Sequence, residues 1–477
     1  MGEWPADQNG ADRLGARDWW RGQLMGRLIG ERRLTLRSGP FSLAPHFRSV
    51  DSLGLYLHIP FCRQICPYCP YNKELFCPAI AERYTAAVLE EINRYVEIIG
   101  RRPITSFYIG GGTPTTMLST GLPRILERIY RAFNMQCGIH MESHPNDLSP
   151  ENLNTIVAMG VDHLSIGVEA LKDRHLRTLC RTYTAAAARA AIERAVGKHF
   201  RSVNVDLIFA LPDRTHEELR EEARTLIEIG VDQVAAYPLF SFPYTEWPRL
   251  AHQKGYRSYT LLQKRRMLRV LERTFYDAGY ERTSVWAFTR MRVPKYCSVT
   301  VPQYLGLGAS AASYLHDIFY LNTFNVEAYI QALEYGRMPV ALSLPLSDRM
   351  QMAGWLYWRM YETRFKKSDF EERFGTSFDA VYGTYVKLLA FLGLLREGDD
   401  AVVLTGSRRL LAACAAGSVL HRLHQQVVGH VAGESLAARG PSVAWRILRA
   451  PVKASAFRSL VGIVLAQRAR RRERRKS

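Results

Sequence analysis

From Leu53 to Phe240 the chain repeats one unit: a short run rich in β-branched and aromatic residues, a turn, then a segment with helical spacing of apolar residues. The runs are LGLYLHI, ITSFYIG, CGIHMES, VDHLSIGV, SVNVDLIFAL and DQVAAYPLF. Between them stand stretches such as AERYTAAVLEEINRYVEIIG and THEELREEARTLIEIG, each closed by glycine. Strands alternating with helices of this length imply parallel strands joined by right-handed crossovers. Six units are too few for an eight-fold barrel. The expected fold class is α/β, an open partial (β/α)6 barrel over residues 51–240.

The rest of the 477 residues divides by texture. Residues 1–50 form an N-terminal extension. Residues 241–340, with a helical stretch from Tyr259 to Gly279 and the sequence YLGLGASAASYL, are expected to close the barrel near the substrate. Over 341–415, helical patterns followed by a hairpin at Gly398-Asp399-Asp400 suggest a small α+β, winged-helix-like domain. Residues 416–477 are a basic tail. From Arg439 onward twelve Lys and Arg stand against Glu473 alone, so much of the net charge of +19 is local to this tail. It reads as a solvated segment, with weak contact to a membrane surface as the alternative, and not as a specific nucleic-acid-binding domain. No stretch has the ~18–20 apolar residues of a membrane span. The first residues are acidic and lack the apolar core of a secretory signal. Eight cysteines spread over so long a chain do not make a disulfide scaffold, so a reducing cytoplasm and a monomeric enzyme are expected.

Three of those cysteines fall within eight residues, at Cys62, Cys66 and Cys69 in HIPFCRQICPYCPYNKELF. Zinc sites show paired Cys/His couples, and no second couple stands out. A thioredoxin-like pair would use Cys66 and Cys69 and leave Cys62 unexplained. A [4Fe–4S] cluster would use all three and leave one iron open to a substrate or cofactor. Asp206, mid-strand among apolar residues in NVDLIF, is costly unless paired or functional.

The spacing C-x3-C-x2-C with Tyr68 before the last cysteine resembles the radical S-adenosylmethionine (SAM) superfamily. YLHIPFC, YIGGGTPT, GVDHLSIGVEAL and NVDLIFALPDRT sharpen it to the oxygen-independent coproporphyrinogen oxidase-like, HemN-like subgroup. The resemblance implies a [4Fe–4S] cluster on Cys62, Cys66 and Cys69, with one SAM molecule at the open iron and, in the methyl-transferring branch, a second SAM. It also implies cofactor contacts from Tyr56, Gly110, Gly111, Gly112, Thr113, Glu142, Glu169, Arg181 and Asp206, with Tyr56 and Glu142 nearest the chemistry. Arg181 would pair with the SAM carboxylate, and Glu169 stands where the family usually has Gln. A reductase or flavodoxin-type electron donor is the implied partner.

Two departures separate the readings of function. Tyr71 stands where the decarboxylases of this subgroup carry a further cysteine, and SVWAFTRMRVPKYCSV stands where the related heme chaperones have a His-Asn…Tyr-Trp element. A branch that transfers methyl groups to heteroaromatic or tetrapyrrole carbons tolerates both. The expectation is therefore methyl transfer or related carbon chemistry on a planar small molecule, with a heme chaperone or coproporphyrinogen decarboxylation as alternatives. Tyr237, Phe240, Phe242, Tyr244, Trp286 and Phe288 are candidates to stack on such a ring, and Cys297 is a candidate reactive thiol at the barrel mouth.

Overall fold

A computed structural model describes residues 36–39, 42–290 and 302–405. Cys297, most of the N-terminal extension and the basic tail lie outside them. The chain divides into two compact units, Ser38–Ser343 with Tyr361–Thr363, and Leu344–Met360 with the residues from Arg364 onward.

In the larger unit the six β-rich runs become β1 (Leu53–Ile59), β2 (Pro103–Gly111), β3 (Ile139–Ser143), β4 (Val161–Glu169), β5 (Ser202–Phe209) and β6 (Gln233–Pro238). Each pairs in parallel with the next, in chain order. Tyr304–Leu307, here β7, adds a further parallel strand on the free side of β1. The sequence hides it because the strand is only four residues long and Gly306 carries no strand preference. Gly306 is needed there, since a Cβ would lie 2.2 Å from the Ala312 carbonyl oxygen. Antiparallel strands continue the sheet at both sides, Ala312–Tyr314 and Ile318–Asn322 beyond β7, Ala287–Arg290 and Tyr280–Arg282 beyond β6.

The helices between strands are α1 (Pro78–Ile99), α2 (Leu122–Ala132), α3 (Pro150–Ala158), α4 (Ala185–Val196), α5 (His216–Ile229) and α6 (Leu261–Asp277). Each buries a stripe at helical spacing, such as Tyr84, Val88, Ile92, Tyr95 and Ile99 of α1. Their ends are encoded locally. Thr215 and Glu218 form a capping box at the start of α5, and Gly230 closes it in the left-handed region at φ 94°. Among the described residues no helix is long and apolar enough to cross a membrane.

Strand alternation sorts the residues by face. Leu53, Leu55, Leu57 and Ile59 of β1 lie on one face and are buried. In register on the other stand Tyr56 and His58, Tyr108, His140 and Glu142, His163 and Ser165, then Asn204 and Asp206. Polar side chains at these positions are what a barrel interior used for chemistry requires.

Glu91 of α1 ties β7 and its neighbours to the barrel. Buried, it accepts hydrogen bonds from the Gly308 amide (2.8 Å), Asn322 Nδ2 (2.7 Å) and the Tyr329 hydroxyl (2.6 Å). Glu91→Ala strands three buried donors, so it should lower the unfolding free energy by about 3–5 kcal/mol in denaturant titrations. Burial raises the Glu91 carboxyl to about 7. Its proton-linked contribution is thus fully present below the unfolded carboxyl pKa and is lost as pH rises toward 7.

The smaller unit has helices Lys367–Phe374 and Phe378–Phe391 and a three-stranded antiparallel sheet of Arg364–Lys366, Ala401–Leu404 and Leu395–Glu397. Phe365, Phe370, Phe378, Tyr382, Val386 and Val402 belong to its core. The hairpin turn falls at Gly398–Asp400, where the Gly398 amide donates to Ala401 O at 2.8 Å.

Candidate active site

The cysteine loop leaves the C-terminal end of β1. Cys69 N donates to Cys66 O at 3.2 Å, closing a turn between the last two cysteines. All three are free thiols. The Thr113 hydroxyl donates to Cys62 Sγ at 3.4 Å, and Arg181 Nη1 donates to Cys66 Sγ at 3.4 Å. Lys73 Nζ holds Cys69 O and Tyr71 O at 2.7 and 2.9 Å, placing a cation near the third sulfur. Burial pushes the Cys62 thiol up to about 11. Thiolates in such a place require positive charge, and three sulfurs with donors aimed at them fit an iron–sulfur cluster.

β2 ends in the glycine ridge Gly110-Gly111-Gly112. Gly111 has φ +115°, and a Cβ there would lie 2.5 Å from the His58 ring. At Gly112 a Cβ would lie 2.7 Å from Phe61 O. The ridge presses onto β1 and the cysteine loop, with Gly112 N on Ile59 O (2.7 Å) and Thr113 N on Phe61 O (2.8 Å). His58 Nε2 lies 3.1 Å from Asn72 O, which can only accept, so Nε2 carries the proton and Nδ1 accepts from the Tyr56 hydroxyl at 2.8 Å.

Three carboxylates stand beside this loop, Glu142 and Glu169 toward the ends of β3 and β4 and Asp206 within β5. Glu142 accepts from the Tyr108 hydroxyl and, at 3.1 Å, from the Gly111 amide. Glu169 ends β4 with φ 68°, a left-handed conformation that costs a residue with a Cβ. It is held by Arg181 Nη2 at 2.6 Å, which also donates to Gly167 O at 3.0 Å. Asp206 accepts from Asn204 Nδ2 at 2.9 Å. Burial, then the charges of Glu169 and Glu142, keep the Asp206 carboxyl well above its ordinary value. Burial also raises Glu142 and Glu169, against the donors on Glu142 and the guanidinium on Glu169. Arg181 already serves Glu169, Gly167 and Cys66, so its geometry is that of a brace between cluster loop and carboxylates rather than of a free carboxylate ligand.

All the residues singled out in the sequence for cluster and SAM gather here. Tyr108, Asn204 and the hydrogen bond by which His58 holds Tyr56 were missed. Tyr108 stands two residues before Gly110, and period-two alternation alone puts it on the same face. Tyr71 is exposed, and its hydroxyl is raised above its ordinary value by burial first and then by the charges of Glu142 and Cys69. The aromatic set divides. Phe240, Phe242 and Tyr244 form a wall with centroid spacings of 5.7 and 5.5 Å, and Trp286 backs it edge-on to Phe240 at 6.1 Å. Trp247 N donates to Pro67 O at 2.9 Å, so the wall runs alongside the cysteine loop, with Tyr244 facing Cys69. Phe288 instead is buried and stacks on Phe275 at 4.8 Å. It is core, because its strand turns that side chain toward α6.

The family model described as the radical SAM superfamily matches residues 56–226, the span that carries every one of these cluster and carboxylate residues. These residues make a radical SAM domain, and the chain is similar to proteins of the HemN-like subgroup. Such a protein works with a [4Fe–4S] cluster and SAM. This radical SAM chain is 26% identical over 375 residues to heme chaperone HemW of Bacillus subtilis, covering 77% of this chain and 99% of that one. It is 24% identical over 390 residues to the oxygen-independent coproporphyrinogen III oxidase of Synechocystis, covering 75% and 83%. Its fold matches the solved coproporphyrinogen III oxidase HemN of Escherichia coli with a TM-score of 0.69 at 22% identity, over 80% of this chain and 93% of that one.

Proposed function

We propose that this chain is a SAM-cleaving radical enzyme acting on a planar ring of the tetrapyrrole or related heteroaromatic class. The observation that carries the reading is a charge imbalance: Glu142, Glu169 and Asp206 face the single guanidinium of Arg181. Arg181 is the cation beside these carboxyls, and the sulfonium and ammonium of SAM would bring further positive charge. When bound, cluster and SAM supply reductive S–C5′ cleavage and a 5′-deoxyadenosyl radical that takes hydrogen from a substrate C–H bond.

The chain's own residues do the rest. Cys62, Cys66 and Cys69 would hold the cluster, and the donors from Thr113 and Arg181 stabilise charge on two of the sulfurs. Glu142, fixed by Tyr108 and the Gly111 amide, would accept from the SAM amine along the glycine ridge, with Thr113 at its end. Glu169, held by Arg181, and Asp206 would accept from the ribose hydroxyls or face the sulfonium. Tyr56, locked by His58, closes the wall of this chamber. The Phe240–Phe242–Tyr244 wall offers a flat ring an apolar support beside the cysteine loop and excludes water. A flavodoxin-type donor would supply the electron.

The tetrapyrrole class rests on the named relatives, HemW and the coproporphyrinogen oxidases. A second reading, heme carriage with little radical turnover, is favoured by the HemW match along nearly that protein's whole length. Methyl transfer has no counterpart among those relatives and ranks behind both. Anaerobic, reduced protein incubated with SAM separates them. 5′-Deoxyadenosine produced in proportion to a porphyrinogen substrate supports the enzyme, and S-adenosylhomocysteine formed alongside it would reinstate the methyl-transfer reading. Stoichiometric heme binding with no SAM cleavage would replace the enzyme reading with carriage. The double substitution Phe242→Ala/Tyr244→Ala should weaken porphyrin binding about 10–100-fold, two aromatic contacts at roughly 0.5–1.5 kcal/mol each, with iron content unchanged.

A further inference from the structure

We propose that the open groove between α5 and α6 is a binding site for an oligophosphate, either free or as the tail of a nucleotide. The two helices pack against each other, and the groove between them has a volume of about 580 Å³. Arg220 and Arg224 line it from α5, and Arg266, Arg269 and Arg273 line it from α6. Their spacings, i to i+4 on α5 and i, i+3, i+7 on α6, set each row on one face of its helix. The half-buried Ile227, Val270 and Thr274 lie between the rows as an uncharged lining. None of these residues belongs to the cluster loop or to the strand carboxylates.

The acids of both helices that could neutralise these rows are engaged elsewhere. Glu218 accepts from Arg174 Nε at 2.9 Å and caps α5, and Glu221 takes Lys172 Nζ at 2.8 Å. Glu222 accepts from the Leu171 amide at 2.6 Å, and Glu272 takes Arg282 Nη1 at 2.6 Å. Arg220 keeps a bond to Glu217. Arg224, Arg266, Arg269 and Arg273 are exposed and form no ion pair among the described residues. Other exposed arginines of this unit do sit on acids, Arg83 on Glu327, Arg124 on Glu82 and Arg189 on Glu193. Glu228 and Asp277 line the groove near the helix C-termini, and two carboxylates against five guanidiniums leave a net +3. Like charges three and four residues apart destabilise a helix, so the rows cost the ligand-free protein stability that a polyanion would return. The choice of cation narrows the ligand. All five are arginine, whose planar forks meet phosphate oxygens in pairs. Arg266 to Arg273 runs about 10 Å along the axis, so the donors form a line. Linked phosphates match a line of donors, whereas a single phosphate meets only part of it.

Calorimetry on the full chain, at about 0.15 M salt and without divalent cations, should find about one tripolyphosphate bound per chain. Arg224→Ala/Arg269→Ala should weaken that binding at least about tenfold. The fold should tolerate it, because both side chains are exposed and unpaired. Arg470→Ala/Arg471→Ala/Arg472→Ala, which takes charge from the basic tail instead, should change the affinity less than about twofold. No saturable binding, or binding lost in the tail variant and kept in the groove variant, overturns the site. Citrate that displaces tripolyphosphate as well as tripolyphosphate itself also overturns it, since clustered carboxylates would then suffice. ATP, used as a competitor of bound tripolyphosphate so that this site alone is read, separates the two sources. Displacement at lower concentration than tripolyphosphate supports the site with a nucleotide tail as its ligand, and weaker displacement supports it with the free chain. Retention on phosphatidylglycerol vesicles with no affinity for either soluble phosphate assigns the arginines to a lipid surface and overturns the proposal. Iron and 5′-deoxyadenosine measured on the same wild-type preparation keep this outcome separate from that of the SAM reading.

Discussion

Cys66→Ala is expected to cut bound iron from about four per chain to background and abolish SAM cleavage. A cluster held by three thiolates has no spare protein ligand, so the loss of one leaves it on two. Cys66 is also the sulfur to which Arg181 Nη1 donates, and Arg181 in turn fixes Glu169. The substitution therefore removes a ligand and frees the guanidinium that braces the carboxylates. The fold should survive it, because Cys66 is only half-buried and its backbone turn to Cys69 is kept. Compared with cluster-free wild type, the unfolding free energy should fall by no more than about 1 kcal/mol, whereas cluster-bearing wild type is further stabilised by its ligand. Cys77→Ala, at the start of α1 and outside the loop, should leave iron unchanged. The measurement is iron and sulfide per chain with the visible spectrum of anaerobic protein. A wild type holding one zinc on these cysteines, with no iron, would remove the basis for everything proposed about SAM.

Much of this site was legible because it is written in local patterns. The cysteine spacing, the glycine ridge after β2 and the strand–helix period are each contained in a few consecutive residues, and side-chain alternation carries them to one face. Asp206 announced itself by its cost among apolar neighbours. What stayed hidden depends on contacts between segments far apart in the chain. Tyr108 matters because Glu142 of the next strand takes its hydroxyl, and β7 matters because Glu91 of α1 pins the turn after it. The role of Arg181 changed for the same reason. Its partners Cys66 and Glu169 lie 115 and 12 residues away, and only the fold shows that Nη1 and Nη2 are already engaged while Nε is buried without a partner. Phe288 went astray because an aromatic beside a barrel end carries no label for the face it will occupy.

Asp206→Asn is expected to do two opposite things: stabilise the ligand-free protein and weaken SAM binding about 10–100-fold, the worth of one charge-assisted hydrogen bond. Asp206 sits in the middle of β5, in register with Gly167 and Ala235, with Asn204 donating to it. Burial and the charges of Glu169 and Glu142 oppose its ionisation. Its folded pKa is thus raised, so ionising it costs the native state as pH rises from the ordinary carboxyl range toward that raised value. A neutral amide avoids the cost, and the gain should grow with pH over that window. Binding a sulfonium reverses the balance. Positive charge beside the carboxyl favours its ionised form, so SAM binding releases protons. Wild-type affinity should therefore rise with pH until the ligand-free carboxyls are ionised and then level off, while Asp206→Asn flattens the rise. Anaerobic calorimetry in buffers of different ionisation enthalpy counts those protons. A pH-independent wild-type affinity, or one untouched by Asp206→Asn, would mean that this carboxyl does not face the sulfonium. Stability gained where binding is lost is the mark of a residue kept for its ligand rather than for the fold.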